Sequence, residues 1–239
     1  MQWIASLLFT TLLFIWTLLF AAFFVVACLF LPLRERSVLV RTWTYVIFAM
    51  LKWICRLDYR VTGREHLPPG AHVALWKHSS AWETFAMIII CPPQAWVLKR
   101  ELLWVPIVGW GIRQLHSIAI KRSSGHSAVK QVVDQGKQRL AEGLWVMIFP
   151  EGTRMAPGET RKYGVSGALL AREAGCLIVP VAHDSGYYWQ RRGLLKKPGT
   201  IQVVIGKPID PAGRDPRDVN EEAQAWVEGT IAALREGAS

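Results

Sequence analysis

The N-terminal segment of this chain lacks charged side chains. Residues 1–33 contain no aspartate, glutamate, lysine, arginine or histidine, and Arg34-Glu35-Arg36 ends the run. As a helix with a rise of about 1.5 Å per residue, the segment can cross a hydrocarbon core of about 30 Å with tilt to spare. The absence of charged side chains therefore argues against the N-terminal segment of a soluble domain and predicts an N-terminal hydrophobic membrane helix.

A cleaved secretory signal is the competing interpretation of this segment. The letters VVAC at residues 25–28 imitate a lipoprotein cleavage box. However, no basic residue precedes the apolar run, and the run exceeds the roughly 7–15 residues of a signal core. We expect the segment to be retained.

Cysteines and acidic residues are also scarce. The four cysteines show no close pairing pattern, which fits a reducing compartment and predicts no metal site. The 28 basic residues outnumber the 18 acidic ones, giving a net charge of +10. This balance suits anionic lipid, an acidic carrier or nucleic acid. Nucleic acid is disfavoured because the chain has the membrane segment and no recognisable binding motif.

Residues 38–57 form a second apolar segment that carries basic side chains on one side. Arg41, Lys52 and Arg56 fall within about 60° of one another on a helical wheel, with Tyr45 between them. This pattern is typical of an amphipathic helix lying at a membrane surface, and also of a helix packed on a domain. The arginines after the first helix favour a cytoplasmic location for the remaining chain.

After residue 57, short β-like runs alternate with helical ones. The candidate strands are YRVTG, HVALW, AWVLK, SIAIKR, LWVMIF, LIVPVA and IQVVIG. Helices are predicted at residues 124–142, before Gly175 and at residues 219–235. The alternation predicts an α/β fold with a mixed, mostly buried sheet flanked by helices. We assign residues 1–57 to membrane-associating helices and residues 58–239 to one α/β domain.

The stretch WKHSSAWETF places His78 and Glu83 five positions apart. Within one helix they would lie about 140° apart, so they can meet only if His78 precedes the helix, in the turn after the strand HVALW. There Glu83 can hold one ring nitrogen while the other acts as a base. The alternative is a capping box, in which Ser80 caps the helix and Glu83 reaches back to its first amides.

Two further loops follow predicted strands and carry basic residues. In FPEGTR, Gly152 allows a close backbone approach and Arg154 presents a planar fork suited to two phosphate oxygens. In LKRELLWVPIVGWG, Lys99 precedes an apolar turn with tryptophans. The alternatives are a surface turn with a local ion pair between Glu151 and Arg154, and a membrane-facing surface.

Four blocks of the sequence carry a more specific signal together than any one of them alone. KHSSAWE, KRELLWVPIVG, FPEGTR and LIVPVAHDSG resemble, in this order, the four blocks of the glycerolipid acyltransferase family, and most closely its bacterial 1-acyl-sn-glycerol-3-phosphate (lysophosphatidic acid) acyltransferases. The family usually has aspartate where this chain has Glu83. Glutamate has a similar solution pKa and a longer reach.

The resemblance implies direct acyl transfer from a thioester of coenzyme A or acyl carrier protein to the sn-2 hydroxyl of lysophosphatidic acid, giving phosphatidic acid. His78 would take the hydroxyl proton, and Glu83 would fix its tautomer and stabilise the imidazolium. The amides that open the following helix are candidates for binding the oxyanion. No cofactor and no metal are implied. The residues implied at the acceptor's phosphate are Lys99, Glu151, Gly152, Thr153 and Arg154.

Other functions stay open beside this one. A serine hydrolase is disfavoured because GVSGA, at residues 164–168, lacks the final glycine of a nucleophile elbow, and because the triad letters in HDSG stand in a row. A non-catalytic membrane-surface protein would leave the four blocks unexplained, and a family member could use another lipid acceptor. We expect an enzyme at the cytoplasmic face of a bacterial inner membrane, with membrane lipid and acyl-CoA or acyl carrier protein as partners.

Overall fold

Two long helices begin the protein, whose computed structural model describes residues 1–121 and 125–237. They are α1 (Gln2–Ala27) and α2 (Leu33–Cys55). Both are long and apolar enough, by length and composition, to cross a membrane. One face of α2 packs on α3 and β1 of the following domain, and Lys52 and Tyr45 lie exposed on its other side.

In the part of the chain that the structure describes, seven strands form one sheet in the order β1-β7-β6-β2-β5-β3-β4. The strands are β1 (Leu57–Thr62), β2 (Val73–Trp76), β3 (Gln94–Lys99), β4 (Ile118–Ile120), β5 (Trp145–Ile148), β6 (Ile178–His183) and β7 (Gly199–Ile205). Strands β6 and β7 pair antiparallel and the other neighbours pair parallel. The predicted mixed α/β sheet is confirmed. Strands β2 and β5 are buried at every residue, as continuous apolar runs in a parallel sheet predict.

Within the described residues, six further α-helices follow the first two: α3 (Trp82–Ile90), α4 (Val108–Arg113), α5 (His126–Ala141), α6 (Ser166–Ala174), α7 (Ser185–Tyr188) and α8 (Pro216–Glu236). Gly175 ends α6 in the left-handed conformation with φ 63°, as its place in the sequence predicts. Ser124 of the predicted helix and Arg122 of the predicted strand SIAIKR lie outside the described residues.

Helices cover both faces of the sheet, because successive strand residues point to opposite sides. In β2, Ala74 and Trp76 belong to an apolar cluster with α1, α2 and α3. Val73 and Leu75 belong to a second cluster with α5, α6 and α8. The first cluster therefore joins the N-terminal helices to the sheet.

The predicted bounds of the N-terminal helices need correction. Helix α2 begins at Leu33, directly after Pro32, so the arginines expected to end the first helix lie inside the second. The Arg36 guanidinium reaches back to the carbonyls of Leu31 (2.8 Å) and Cys28 (2.9 Å), closing the turn after α1. Arg56 lies beyond α2 in the left-handed conformation, so it is not part of a helical basic stripe.

Polar residues of α1 bind the α/β part through Lys196, which is buried. Its backbone amide donates to Ser6 Oγ (2.9 Å), and its ammonium donates to Thr10 Oγ1 (2.6 Å) and lies 4.8 Å from the ring centroid of Trp189. Gln2 Nε2 donates to the carbonyl of Lys196 as well. Because residues 1–57 share a core and these bonds with the rest, their division from residues 58–239 stays a prediction.

Candidate active site

The four sequence blocks meet at one edge of the sheet. They contain the ends of β2, β3, β5 and β6, or directly follow them. These four strands are neighbours in the order β6-β2-β5-β3 and run parallel, so their carboxyl ends lie at the same edge. Ligand sites of α/β proteins are commonly found at such an edge.

His78 and Glu83 are in contact at this edge. His78 lies in the turn between β2 and α3, and its Nδ1 is 2.9 Å from Glu83 Oε1. The same carboxylate oxygen accepts the backbone amides of Ser79 (2.9 Å) and Ser80 (2.8 Å). Glu83 thus bonds the histidine and also reaches back to the preceding amides, whereas Ser80 Oγ accepts the Trp82 amide and not the third helical amide that a capping box predicts.

The hydrogen bond to Glu83 fixes the tautomer of His78. A carboxylate only accepts, so Nδ1 carries the proton and Nε2 is left as the acceptor. Burial alone would raise the pKa of Glu83, but the His78 hydrogen bond, the charges of His183 and His78 and the Ser80 amide outweigh it and hold the pKa below its usual value. Glu83 is therefore ionised and available to stabilise an imidazolium.

Three of the amides around the start of the helix already have hydrogen-bond partners, so, contrary to expectation, they are not available to an oxyanion. Those of Ser79 and Ser80 donate to Glu83, and that of Trp82 donates to Ser80 Oγ (3.0 Å).

The FPEGTR loop holds His78 from two sides. The ring of Phe149 stacks on the imidazole, with centroids 3.9 Å apart and planes inclined by 15°. Glu151 Oε1 accepts the His78 amide (3.3 Å), and the Met155 amide donates to the His78 carbonyl (2.7 Å). Burial raises the pKa of Glu151 to about 7, although the charge of Lys77 opposes the change.

A cavity of about 590 Å³ opens beside His78. Its wall is mostly apolar and comes from α1, α2, α3, β3, α4 and the turn after α4, including Phe20, Phe24, Trp43, Phe85, Trp96 and Leu115. Lys99, Thr153 and Arg154 line the same cavity together with His78. The arrangement can hold a long apolar chain next to a base while two cations bind an anionic group.

The structure brings some of the predicted site residues to this cavity and places others behind it. Glu83 lies behind His78, and the buried carboxyl of Glu151 faces the His78 backbone and not the cavity. Gly152 does not line the cavity either, and its φ of 70° explains a glycine at this turn. In place of a local pair with Glu151, Arg154 Nη1 donates to the carbonyl of Arg191 (3.3 Å).

Comparison with known proteins decides the family. The Acyltransferase family model matches residues 58–184, which is more than half of the chain. The chain belongs to this acyltransferase family. The membership confirms the resemblance drawn from the four blocks and the expectation of an enzyme.

Named relatives of this acyltransferase extend over most of its length. A 1-acyl-sn-glycerol-3-phosphate acyltransferase of Pseudomonas aeruginosa is 42% identical over 224 residues, covering 92% of this chain and 86% of the relative. The alpha form from Mus musculus is 25% identical over 225 residues, covering 92% and 78%. The crystal structure of the 1-acyl-sn-glycerophosphate acyltransferase PlsC from Thermotoga maritima matches with a TM-score of 0.81 and 19% identity, covering 98% and 96%. That structure supports the fold of this acyltransferase.

Residues outside the sequence prediction complete the acyltransferase site. Besides Phe149, Ser185 Oγ donates to Glu83 Oε2 (3.0 Å), and His183 lies beside that serine. Both His183 and Ser185 belong to the stretch HDSG, whose letters by themselves suggest only a catalytic triad. Within residues 1–121 and 125–237, no group of three or more histidine, cysteine, aspartate or glutamate side chains could hold a metal ion.

Proposed function

We propose that this acyltransferase transfers a fatty acyl group from acyl-CoA or acyl carrier protein to the sn-2 hydroxyl of 1-acyl-sn-glycerol-3-phosphate, giving phosphatidic acid. One observation carries the proposal: the His78 imidazole lies where an apolar cavity meets Lys99 and Arg154. A lysophosphatidic acid has the same three parts, which are an acyl chain, a hydroxyl and a phosphate. The names of the relatives point to the same acceptor.

The acceptor would bind with its phosphate at the basic rim of the cavity. The planar Arg154 guanidinium can donate two parallel hydrogen bonds to phosphate oxygens, and the Lys99 ammonium adds a point charge. Thr153 lines the same cavity, and its hydroxyl is a further candidate donor to the phosphate. Glu151, whose carboxyl is buried against the His78 backbone, supports the loop and does not touch the anion.

The chemical step needs one base and no covalent enzyme intermediate. His78 Nε2 takes the proton of the sn-2 hydroxyl while its oxygen attacks the thioester carbonyl carbon. The tetrahedral intermediate collapses with cleavage of the carbon–sulfur bond, and the imidazolium returns the proton to the leaving thiolate. Glu83 offsets the positive charge that the ring carries in between, and the stack on Phe149 restricts its rotation.

The location follows from where the substrate is. Extracting an acyl chain from a bilayer costs about 0.8 kcal/mol per methylene, so a site at the membrane surface avoids that cost. The two apolar helices fit a membrane-associated enzyme. We further propose that it lies on the bacterial inner membrane with its α/β domain in the cytoplasm, because basic residues follow the first helix.

A single-turnover assay tests the function. Purified protein in mixed micelles is given labelled 1-acyl-sn-glycerol-3-phosphate with acyl-CoA or with acylated carrier protein, and the products are separated. We expect phosphatidic acid, and a loss of about 10²- to 10⁴-fold in His78→Ala. The matched control is His126→Ala, an exposed histidine that begins α5. Release of free fatty acid would indicate a hydrolase, and equal rates with an acceptor that lacks the phosphate would refute the phosphate site.

A further inference from the structure

Ser185 lies on the far side of Glu83 from His78. It is fully buried and is the first residue of α7, just after β6. Its hydroxyl donates to Glu83 Oε2 at 3.0 Å, while Oε1 is bonded to His78 and to two backbone amides. Both oxygens of the carboxylate are therefore held, each by different donors.

The second hydrogen bond matters because of the torsion it controls. The terminal torsion of a glutamate side chain is broad, so a carboxylate held at one oxygen can turn about its last bond. Bonding of Oε2 by Ser185 fixes the plane of the carboxylate. The direction in which Oε1 receives the Nδ1–H of His78 is then fixed as well.

His183 is the other group within hydrogen-bond distance of the Ser185 hydroxyl. His183 Nε2 is 2.8 Å from the Lys77 carbonyl, which can only accept, so Nε2 carries the proton. Its Nδ1 faces Ser185 Oγ at 3.0 Å and the Ser185 amide at 3.4 Å. The hydroxyl has one proton for two acceptors, and the charged carboxylate forms the stronger bond, which leaves the amide for Nδ1. Burial lowers the pKa of His183, although the charge of Glu83 opposes the change.

We propose that Ser185 is a positioning residue of the active site, whose hydroxyl fixes the carboxylate of Glu83 and through it the imidazole of His78. This inference rests on the proposed function, since it takes His78 as the base. Ser185 touches no reacting atom. Its removal therefore lowers the rate of the chemical step and leaves the binding of both substrates unchanged.

The first test is Ser185→Ala in the full chain, assayed for kcat and KM with both substrates in mixed micelles. We expect kcat to fall about ten-fold or more, as for loss of a hydrogen bond to a charged group, with both KM values unchanged. Ser185→Cys, a similar side chain with a weaker donor, should give an intermediate kcat and provides the test if the alanine variant does not fold. Either variant keeping the kcat of the unaltered enzyme would overturn the proposal.

Two controls separate positioning from stability. Ser6→Ala also removes a buried serine hydroxyl, but one that accepts from Lys196 in the contact of α1 with the domain, so it should lower thermal stability and leave kcat unchanged. In a double-mutant cycle, Ser185→Ala should cause no further loss of kcat once Glu83→Ala is present. A full additional loss in that background would refute action through Glu83. An unaltered enzyme that fails to acylate lysophosphatidic acid would instead refute the proposed function.

Discussion

Replacing Glu83 with glutamine removes the negative charge beside His78, while the glutamine side chain can still form the hydrogen bonds at this position. The carboxylate accepts from His78 and from two backbone amides at one oxygen, and from Ser185 at the other. A glutamine carbonyl can accept the first three, and its amino group can donate to Ser185. The Ser185 hydroxyl can then donate to His183 Nδ1 at 3.0 Å. The fold should therefore lose only about 1 kcal/mol, the net value of one hydrogen bond.

The catalytic cost should be much larger than the cost in stability. The His78–Glu83 contact is 2.9 Å between N and O. A pair of unit charges about 4 Å apart interacts by about 4 kcal/mol at an effective dielectric constant of 20, which corresponds to nearly 10³-fold in rate. Because the imidazolium exists only as the reaction proceeds, the loss should fall on kcat. We expect Glu83→Gln to lower kcat by roughly 10²- to 10³-fold.

The assay measures kcat, both KM values and the melting temperature in the same detergent. Glu142→Gln is the matched control, because Glu142 also bonds a histidine, His116, at 2.9 Å but lies outside the site. It should leave kcat unchanged. A Glu83→Gln enzyme that kept its kcat and lost only thermal stability would show that the carboxylate serves as a helix cap, and the electrostatic reasoning would be wrong.

Arg154→Lys should raise the KM for lysophosphatidic acid more than the KM for the donor, because lysine lacks the planar guanidinium that can donate two parallel hydrogen bonds to phosphate. Steady-state kinetics measure both KM values, with Arg192→Lys as the control. Equal changes in the two KM values would indicate that Arg154 supports the loop. Glu151→Gln should raise thermal stability more at pH 8 than at pH 5. The folded pKa of Glu151 is raised from 4.5 to about 7, so its contribution to the free energy of unfolding falls as pH rises through this range, by about 3 kcal/mol at most. An equal change in melting temperature on substitution at both pH values would contradict this. Gly111→Leu should slow transfer with long acyl chains more than with short ones, since a Cβ there lies 3.4 Å from Phe24 in the cavity wall. Transfer rates measured with a series of acyl chain lengths test this. An equal loss of rate at every chain length would show that the cavity does not hold the chain.

The strands could be predicted from the sequence because each is a short apolar run in a buried sheet. All seven candidates are strands, and the central ones are buried on both faces. Helices α4 and α7 were missed because they have only 6 and 4 residues, too few to show a helical period. The start of α2 was misplaced because Arg36 bonds backward to the preceding turn, a contact that a helical wheel does not contain.

The site was predictable where its contacts are local. His78 and Glu83 are five positions apart, so helix geometry alone required His78 to precede the helix. The contact of Ser185 with Glu83 spans 102 positions and depends on β6 lying beside β2, which no local pattern encodes. The catalytic and phosphate-binding roles of the named residues stay predictions until the variants are assayed.

The bonds between the two ends of the chain have a consequence for how the protein is made. The strand beside β1 is β7, and the Lys196 amide that bonds Ser6 comes 190 positions after that serine. A ribosome adding about 5–20 residues per second needs roughly 10–40 s to cover that interval. The start of α1 is thus complete long before the Lys196 segment that will bind it exists. The bonds of Ser6 and Thr10 to Lys196 must be among the last contacts of α1 to form, because the residues that line the cavity end at Arg154 and are made earlier.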